Sequence, residues 1–371
     1  MKPTRLISIL IITLINVLFV DKYVGRVVEW HTWVSAIYMF VNIGALLLTI
    51  RLVDKLLHPT RWLLGIGIIY LTLGLGIQYS IDPMELQVDR WSAIDHFLEG
   101  MLSGIYPYGQ STHLGGYGSP FPVWQVLHLP FYMVGNVGLS IFVVLALFFF
   151  SLWKIRGAKA ALYVMAVCLF SPACWYEIAV RSDLMTNMIL ACVLVEWLMY
   201  YRIRLSERVV MIGILAGLLL STRLIAVIPL AALYGYEFLH MGWKKQTLFI
   251  GIVAMVFTLT FLPFVFWEGS TLLFFEYNPF VLQTRQGSML ALALFAVIAI
   301  LITIYNRGDQ RCLHITIGGL LTGLVVIAFV ETMWVDHAWN ALYTSKFDIT
   351  YLSLGLPFYA MAICPGIKND E

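Results

Sequence analysis

Long apolar runs alternate with short polar breaks along the whole chain. Runs of near-span length fall at about 5–20, 32–50, 62–79, 136–153, 160–176, 184–201, 247–267, 289–305, 312–331 and 349–364. Each approaches the roughly 20 residues that a helix needs to cross a hydrocarbon core. Segment 209–240 is different: it is apolar but interrupted near its middle by Ser221-Thr222-Arg223. Basic residues flank both ends, with Arg202, Arg204 and Arg208 before it and Lys244 and Lys245 after it. Two full spans need about 40 residues, more than this segment holds. The pattern predicts two short helices of about 22–25 Å each, meeting inside the membrane and turning Arg223 into an outward-facing cavity. A break at that depth survives only where protein buries it or water lines it. The other geometry, one long tilted helix with Arg223 snorkelling, would reverse the side of every later loop.

The longest polar interruption is Ile81 to Pro122. It carries Asp82, Glu85, Asp89, Asp95 and Glu99 against one arginine, Arg90. Joining two spans takes about six residues, so this segment is expected to be a working site. From Asp89 to Ser103 the spacing is helical. Trp91, Ile94, Phe97, Leu98, Met101 and Leu102 share one face, and Asp89, Ser92, Asp95, His96 and Glu99 share the other. Such a helix is expected to lie flat on the membrane surface. Asp89 stands where an N-cap belongs, and capping alone would account for an aspartate there. Asp82, just before Pro83, fits the start of a turn. Gly104 and Pro107-Tyr108 stop the helix, and GQSTHLGGYGSPFPVWQ follows. Its glycines suit either a ligand's close approach or a plain linker.

Composition narrows the class. The chain is 61% hydrophobic and 12% charged, with mean hydropathy +0.86; a soluble protein carries about 25% charge. This is one integral membrane domain over 1–371: all-α, polytopic, with about 10–12 transmembrane helices expected at this span length. The net charge of +2 comes from dispersed residues, with no basic stripe for nucleic acid. Cys168, Cys174, Cys192, Cys312 and Cys364 lie in or beside apolar runs without metal-ligand spacing and read as small core residues. Neither a metal nor another cofactor is expected. The N-terminal MKPTR, with no small-x-small cleavage site before Asp21-Lys22, reads as the start of a retained first span.

Charge sets the expected orientation. Of 23 basic residues, 16 fall on one set of short loops and seven on the other. The positive-inside rule assigns the first set to the cytoplasm and 81–122 to the outer face. Arg181, Asp183, Arg285 and Lys346 then share the outer side with Arg223. For the basic residues, a solvated or headgroup-facing charge is the bland alternative. Trp334, Trp339 and Tyr343 suit an interfacial aromatic belt as well as a sugar platform.

The stretch VDRWSAIDHFLEGMLSGIYPYG…YGSPFPVWQVLHLP resembles the first outer loop of polyprenyl-phosphate-dependent glycosyltransferases of the GT-C superfamily, above all the mannosyltransferase-like branch. Those chains show an Asp, then a helix, then Gly-x-x-Pro-Tyr about fifteen residues on. Here Asp89 is followed by Gly104 and Pro107-Tyr108, then Tyr117, Pro120 and Pro122. Asp183 is similar to the family's acid before a later span, and Arg223 to its basic residue in a short broken hairpin. The likeness covers roughly residues 80–240. It departs from the family where a paired acid is usual, because Asp89 stands alone, with Glu85 and Asp82 one and two turns earlier.

The resemblance implies a GT-C-like fold in the bacterial inner (plasma) membrane, N-terminus cytoplasmic. It implies inverting transfer of a hexose, mannose being the family's example, from a polyprenyl-phosphate donor to a glycan, glycolipid or protein acceptor. Asp89 is the expected general base, with Asp82 and Glu85 as alternatives. A cation would stabilise the leaving phosphate. The expected substrate-binding set is Arg90, Tyr108, His113, Arg181, Asp183, Arg223, Arg285 and Lys346. A transporter or lipid flippase is the competing class; it would be expected to show mid-span ionisable residues and internal repeats. A non-catalytic scaffold would leave 81–122 without a purpose. The orientation is testable: in intact cells a membrane-impermeant maleimide should label Ser111→Cys from outside and leave Lys244→Cys untouched. The opposite pattern would invert the topology.

Overall fold

The computed structural model describes residues 3–285, 287–305, 310–335, 337–344 and 347–367. Lys2, Arg307, Lys346 and Lys368 lie outside the described residues. Among those described the chain is all helical, with no strand. Three long helices open it: α1 (Pro3–Val24), α2 (His31–Asp54) and α3 (Pro59–Ser80). The polar segment holds α4 (Arg90–Ser103), and the chain returns through the short α5 (Pro122–Leu127) and α6 (Leu129–Met133). Then come α7 (Ser140–Arg156), α8 (Ala158–Leu169), α9 (Pro172–Ala179), α10 (Leu184–Tyr200), α11 (Val209–Leu220) and α12 (Ile228–His240). The last elements are α13 (Trp243–Phe274), α14 (Pro279–Thr284), α15 (Met289–Tyr305), α16 (Gln310–Val335) and α17 (Leu356–Ile363).

Six of these helices are long and apolar enough to cross a membrane, and the bent α8–α9 pair would make a seventh. Their outward apolar side chains, such as Phe40, Ile68, Phe266 and Ile300, remain exposed. No water-soluble surface tolerates that much apolar area. The chain is therefore a multi-pass helical membrane protein. The expected count of 10–12 spans is approached only by adding the shorter apolar helices, which include α10, α15 and both arms of the hairpin.

Three expectations change. The run at 160–176 is not one straight span: α8 and α9 meet at 74°. Pro172 cannot donate to the helix, and Asn16 Oδ1 satisfies the break by accepting from Ser171 Oγ (2.7 Å) and Ala173 N (3.0 Å). The run at 349–364 is a buried core element. It begins as a 3-10 helix over Ile349–Gly355 and continues as α17, with almost every side chain covered. The tighter helix rises about 2 Å per residue, so fifteen residues reach further than an α-helix of that length would. Finally, α4 does not rest its apolar face on lipid. Trp91, Ile94, Phe97 and Leu98 are buried with Tyr108, Phe121, Trp124, Phe261 and Phe264. Only Leu102, at the far end, stays open.

The broken hairpin at 209–240 is present. Arg223 is extended (φ −156°, ψ 147°) between α11 and the 3-10 turn Leu224–Val227 that leads into α12. The ends of the two arms far from the break are tied together: Glu237 near the end of α12 accepts from Leu205 N and Ser206 N, at 2.9 and 3.1 Å. The chain therefore goes in and returns to the same end.

That end also holds a buried ionic cluster. Arg156 grips Glu196 through Nε and one terminal nitrogen (2.6 and 2.8 Å) and gives its other terminal nitrogen to Pro365 O (2.8 Å). His314 Nε2 lies 2.8 Å from Glu196 Oε1. The cluster ties α7, α10, α16 and the C-terminal segment together. Removing one partner strands a buried charge, at a cost of about 3–5 kcal/mol. Glu196→Ala should lower the thermal midpoint in detergent by many degrees. The double replacement Arg156→Met with Glu196→Leu should recover much of the loss. A Glu196→Ala midpoint equal to wild type would remove the cluster's structural role.

Candidate functional site

At the opposite end of the bundle is a polar cavity of about 190 Å³. It is lined by Asp89, Arg90, Tyr117, Asp183, Arg223 and Asp348, with Ala93, Ser119, Pro120 and Tyr351 between them. The hairpin break supplies Arg223. Its freed carbonyls are used: Ser221 O accepts from Val123 N and Thr222 O from Phe121 N, both at 3.1 Å. Gln283 completes the clamp. Its Oε1 accepts from Leu224 N (2.7 Å) and its Nε2 donates to Ser119 O (2.6 Å).

Arg223 reaches Asp183, which caps the start of α10 in position but makes no side-chain cap bond. Asp183 Oδ2 accepts from an Arg223 terminal nitrogen and from Trp124 Nε1 (2.7 Å). Burial alone would raise this carboxyl's pKa, but the charge and hydrogen bond of Arg223, with the Arg90 and His128 charges, together hold it below the usual carboxylate range. The other terminal nitrogen of Arg223 makes only a long contact of 3.5 Å with Ser119 Oγ.

Arg90 is fully committed. It donates to Ser182 Oγ (2.9 Å), Thr350 Oγ1 (2.6 Å) and Asp348 Oδ2, and its guanidinium lies 5.3 Å from the centre of the Tyr351 ring. Desolvation pushes the Asp348 carboxyl up, and the Arg90 charge, the Thr350 hydrogen bonds and the Lys22 charge together bring it below its ordinary value. Arg90 thus acts as a strap from α4 to the C-terminal core element.

Asp89 has no such cation. It sits at the N-cap of α4 without a capping bond, so the simple capping explanation fails. Instead Asp89 Oδ2 accepts from Thr112 Oγ1 (2.8 Å), which in turn accepts from Gly116 N (2.9 Å). Gly116 is where the glycine-rich loop earns its composition: a Cβ there would stand 2.7 Å from Asp89 Oδ2. The loop's glycine is thus a close approach to a carboxylate rather than plain linker.

The remaining sequence candidates lie elsewhere. Asp82 is exposed and caps its own turn through Met84 N (2.9 Å), and Glu85 is exposed; neither lines the cavity. Tyr108 is buried between Phe97 and Phe264, its ring centres 4.9 and 5.4 Å away. His113 is a strut: Nδ1 meets Ser92 Oγ (2.6 Å) and Nε2 meets Leu86 O (2.9 Å). Arg181 donates to Gln78 O (3.1 Å), closing the end of α3. Arg285 is exposed at the end of α14, outside the cavity. The cavity therefore gathers Asp89, Arg90, Asp183 and Arg223 from the candidates and leaves these others out. Ser119, Gln283, Asp348 and Tyr351 were not singled out from sequence. For Asp348 the available signal was an unpartnered acid beside a polar break. Gln283 and Tyr351 gave none.

A second, apolar pocket of about 80 Å³ adjoins the first. Leu282, Leu292, Leu324, Ile327, Ala328 and Leu354 line it, and it shares Ser119, Arg223 and Tyr351 with the polar cavity. Among the described residues no group of three or more His, Cys, Asp or Glu side chains is placed to hold a metal ion. No protein-family profile, curated protein or solved structure matches this chain.

Two outcomes follow from the geometry. Gly116→Ala should displace Asp89 and cut any activity of this site at least tenfold, with little change in thermal stability. An unchanged rate would show that the Gly116 approach is idle. The Arg90–Asp348 strap should weaken in acid. Asp348 has a depressed folded-state pKa, so its contribution is complete above the unfolded value of about 3.9 and is lost as pH falls through the lower folded value. The stability gap between wild type and Asp348→Asn should be constant from pH 8 to 5 and shrink below pH 4. A gap that widens in acid would refute the strap's charge.

Proposed function

We propose that this protein is an integral membrane glycosyltransferase of GT-C type that uses a polyprenyl-phosphate sugar at the outer face. The observation that carries the proposal is the joining of two pockets at Arg223: a polar one holding a carboxylate free of any cation, and a small apolar one against which the first part of an isoprenoid tail would lie. A lipid-linked sugar phosphate has that same division, with its phosphate at the junction.

In this scheme the acceptor hydroxyl oxygen attacks the anomeric carbon. The bond from that carbon to the phosphate oxygen breaks as the new glycosidic bond forms. Asp89 takes the hydroxyl proton; Thr112 holds its Oδ2, and Oδ1 makes no hydrogen bond among the described residues. General base catalysis of this kind contributes about 10²–10⁴-fold. The departing phosphate needs no acid and meets the Arg223 nitrogen that Asp183 leaves available. One base without a paired second carboxylate accords with inversion at the anomeric carbon. Asp82 and Glu85, exposed outside the cavity, are poor second choices for the base. The hexose, with mannose as the family's example, and the bacterial inner membrane stay part of the proposal.

The test is purified protein incubated with a panel of labelled polyprenyl-phosphate hexoses and their acceptors, read as release of polyprenyl phosphate. Wild type should release it. Asp89→Asn should lose at least 100-fold in rate, and Arg223→Ala should raise the KM for the lipid donor. Retained transfer in Asp89→Asn, with loss in Asp82→Asn or Glu85→Gln, would move the base elsewhere. The alternative class, a transporter or lipid flippase, would use the same apolar pocket but would move the lipid between leaflets without cleaving it.

A further inference from the structure

The acceptor's side of the site can be read from three clustered aromatic rings, of which Tyr117 lies in the cavity wall and Tyr277 and Phe275 pack against it. Tyr117 leaves the glycine-rich loop between Gly116 and Gly118 and lines the cavity beside Asp89. Its ring is stacked on that of Tyr277, from the link between α13 and α14, with centres 5.5 Å apart and planes 11° from parallel. Phe275 stands edge-on to both, at 5.0 Å and 86° to Tyr117 and at 5.7 Å and 76° to Tyr277. The cluster brings together two segments more than 150 residues apart in sequence.

Its setting argues against a purely structural role. The core cluster under α4 buries Phe97, Phe121, Phe261 and Phe264 deeply, whereas Tyr277 remains 36% exposed. A parallel pair of phenol rings offers a flat apolar face with hydroxyls at the wet edge. The axial C–H groups of a pyranose fit such a face, while its hydroxyls point sideways to water and to polar partners. Charge narrows the ligand further. Arg90 and Arg223 are already paired with Asp348 and Asp183. Asp89 and the exposed Glu276, between Phe275 and Tyr277 in sequence, carry the uncompensated charge nearby. An anionic acceptor would meet repulsion there.

Building on the transferase reading, we propose that Tyr117 and Tyr277, edged by Phe275, form the acceptor platform, and that the acceptor is a neutral saccharide rather than a protein side chain or an acidic sugar. The saccharide ring lies on the solvent side of the pair, and the hydroxyl to be glycosylated reaches Asp89.

The platform is tested separately from the chemistry. Purified full-length protein is titrated with maltose, cellobiose and mannobiose, and with a diuronate and an acidic-free peptide of similar size, by saturation-transfer NMR. At least one neutral disaccharide should bind. Tyr277→Phe should stay within twofold of wild type, and Tyr277→Ala should weaken binding at least tenfold while the protein elutes and melts normally. In turnover, Tyr277→Ala should raise the acceptor KM at least tenfold and leave the lipid-donor KM unchanged. The platform is overturned if no neutral disaccharide binds, if the diuronate or peptide binds as well, or if Tyr277→Ala alters only the donor KM. Saccharide binding that depends on Tyr277, without transfer from any lipid donor, would uphold the platform and sink the transferase reading.

Discussion

A helix that breaks inside an apolar bundle must hand its freed backbone groups to new partners, and the cavity end of this protein is organised around one such break. At Ser221–Leu224 two carbonyls accept from the chain returning at Phe121 and Val123, and one amide donates to Gln283. Ser221 Oγ pairs with Thr260 Oγ1 at 2.6 Å, fastening the break to α13. These bonds do two things at once. They remove the cost of the break, and they fix the loop that carries Ser119 and Tyr117 against the hairpin that carries Arg223. The cavity is the space left where these two irregular segments meet.

Charge is distributed with the same economy. Three buried or half-buried arginines each find a carboxylate: Arg156 with Glu196, Arg90 with Asp348, Arg223 with Asp183. A buried charge without a partner is expensive, so each pair also acts as a rivet between distant parts of the chain. Arg156 joins helices at one end, and Arg90 and Arg223 join them at the other. Asp89 differs from Asp183 and Asp348, the other carboxylates of the cavity. It holds a neutral hydroxyl instead of a cation and faces the cavity. A carboxylate left uncompensated in such company is suited to accepting a proton, which is why the proposed chemistry centres on it.

The corrections share one physical cause. Periodicity identified the apolar face of α4, but an apolar face is equally satisfied by lipid or by protein, and only the folded arrangement shows Phe261 and Phe264 of α13 covering it. The run at 160–176 reads as one span, and the 74° bend at Pro172 is accommodated by Asn16 of α1, which no pattern within the run reveals. His113 and Arg181 belong to the substrate-binding set expected from the resemblance. His113 instead bonds Ser92 Oγ and Leu86 O, and Arg181 bonds Gln78 O, and no local pattern announces such bonds.

The sequence by itself determined the membrane class, the helical content, the position of most helices and the broken hairpin at Arg223, because hydrophobic length and charge spacing act locally and leave a visible period. It also located the acidic first loop and drew attention to Asp89. Tertiary structure alone decided which polar residues share a cavity and which serve as struts. Asp348 and Arg90 are 258 positions apart, and Arg223 and Asp183 are 40 apart. Pairings over such separations depend on how the bundle closes, and closure is a property of packing rather than of any segment read alone.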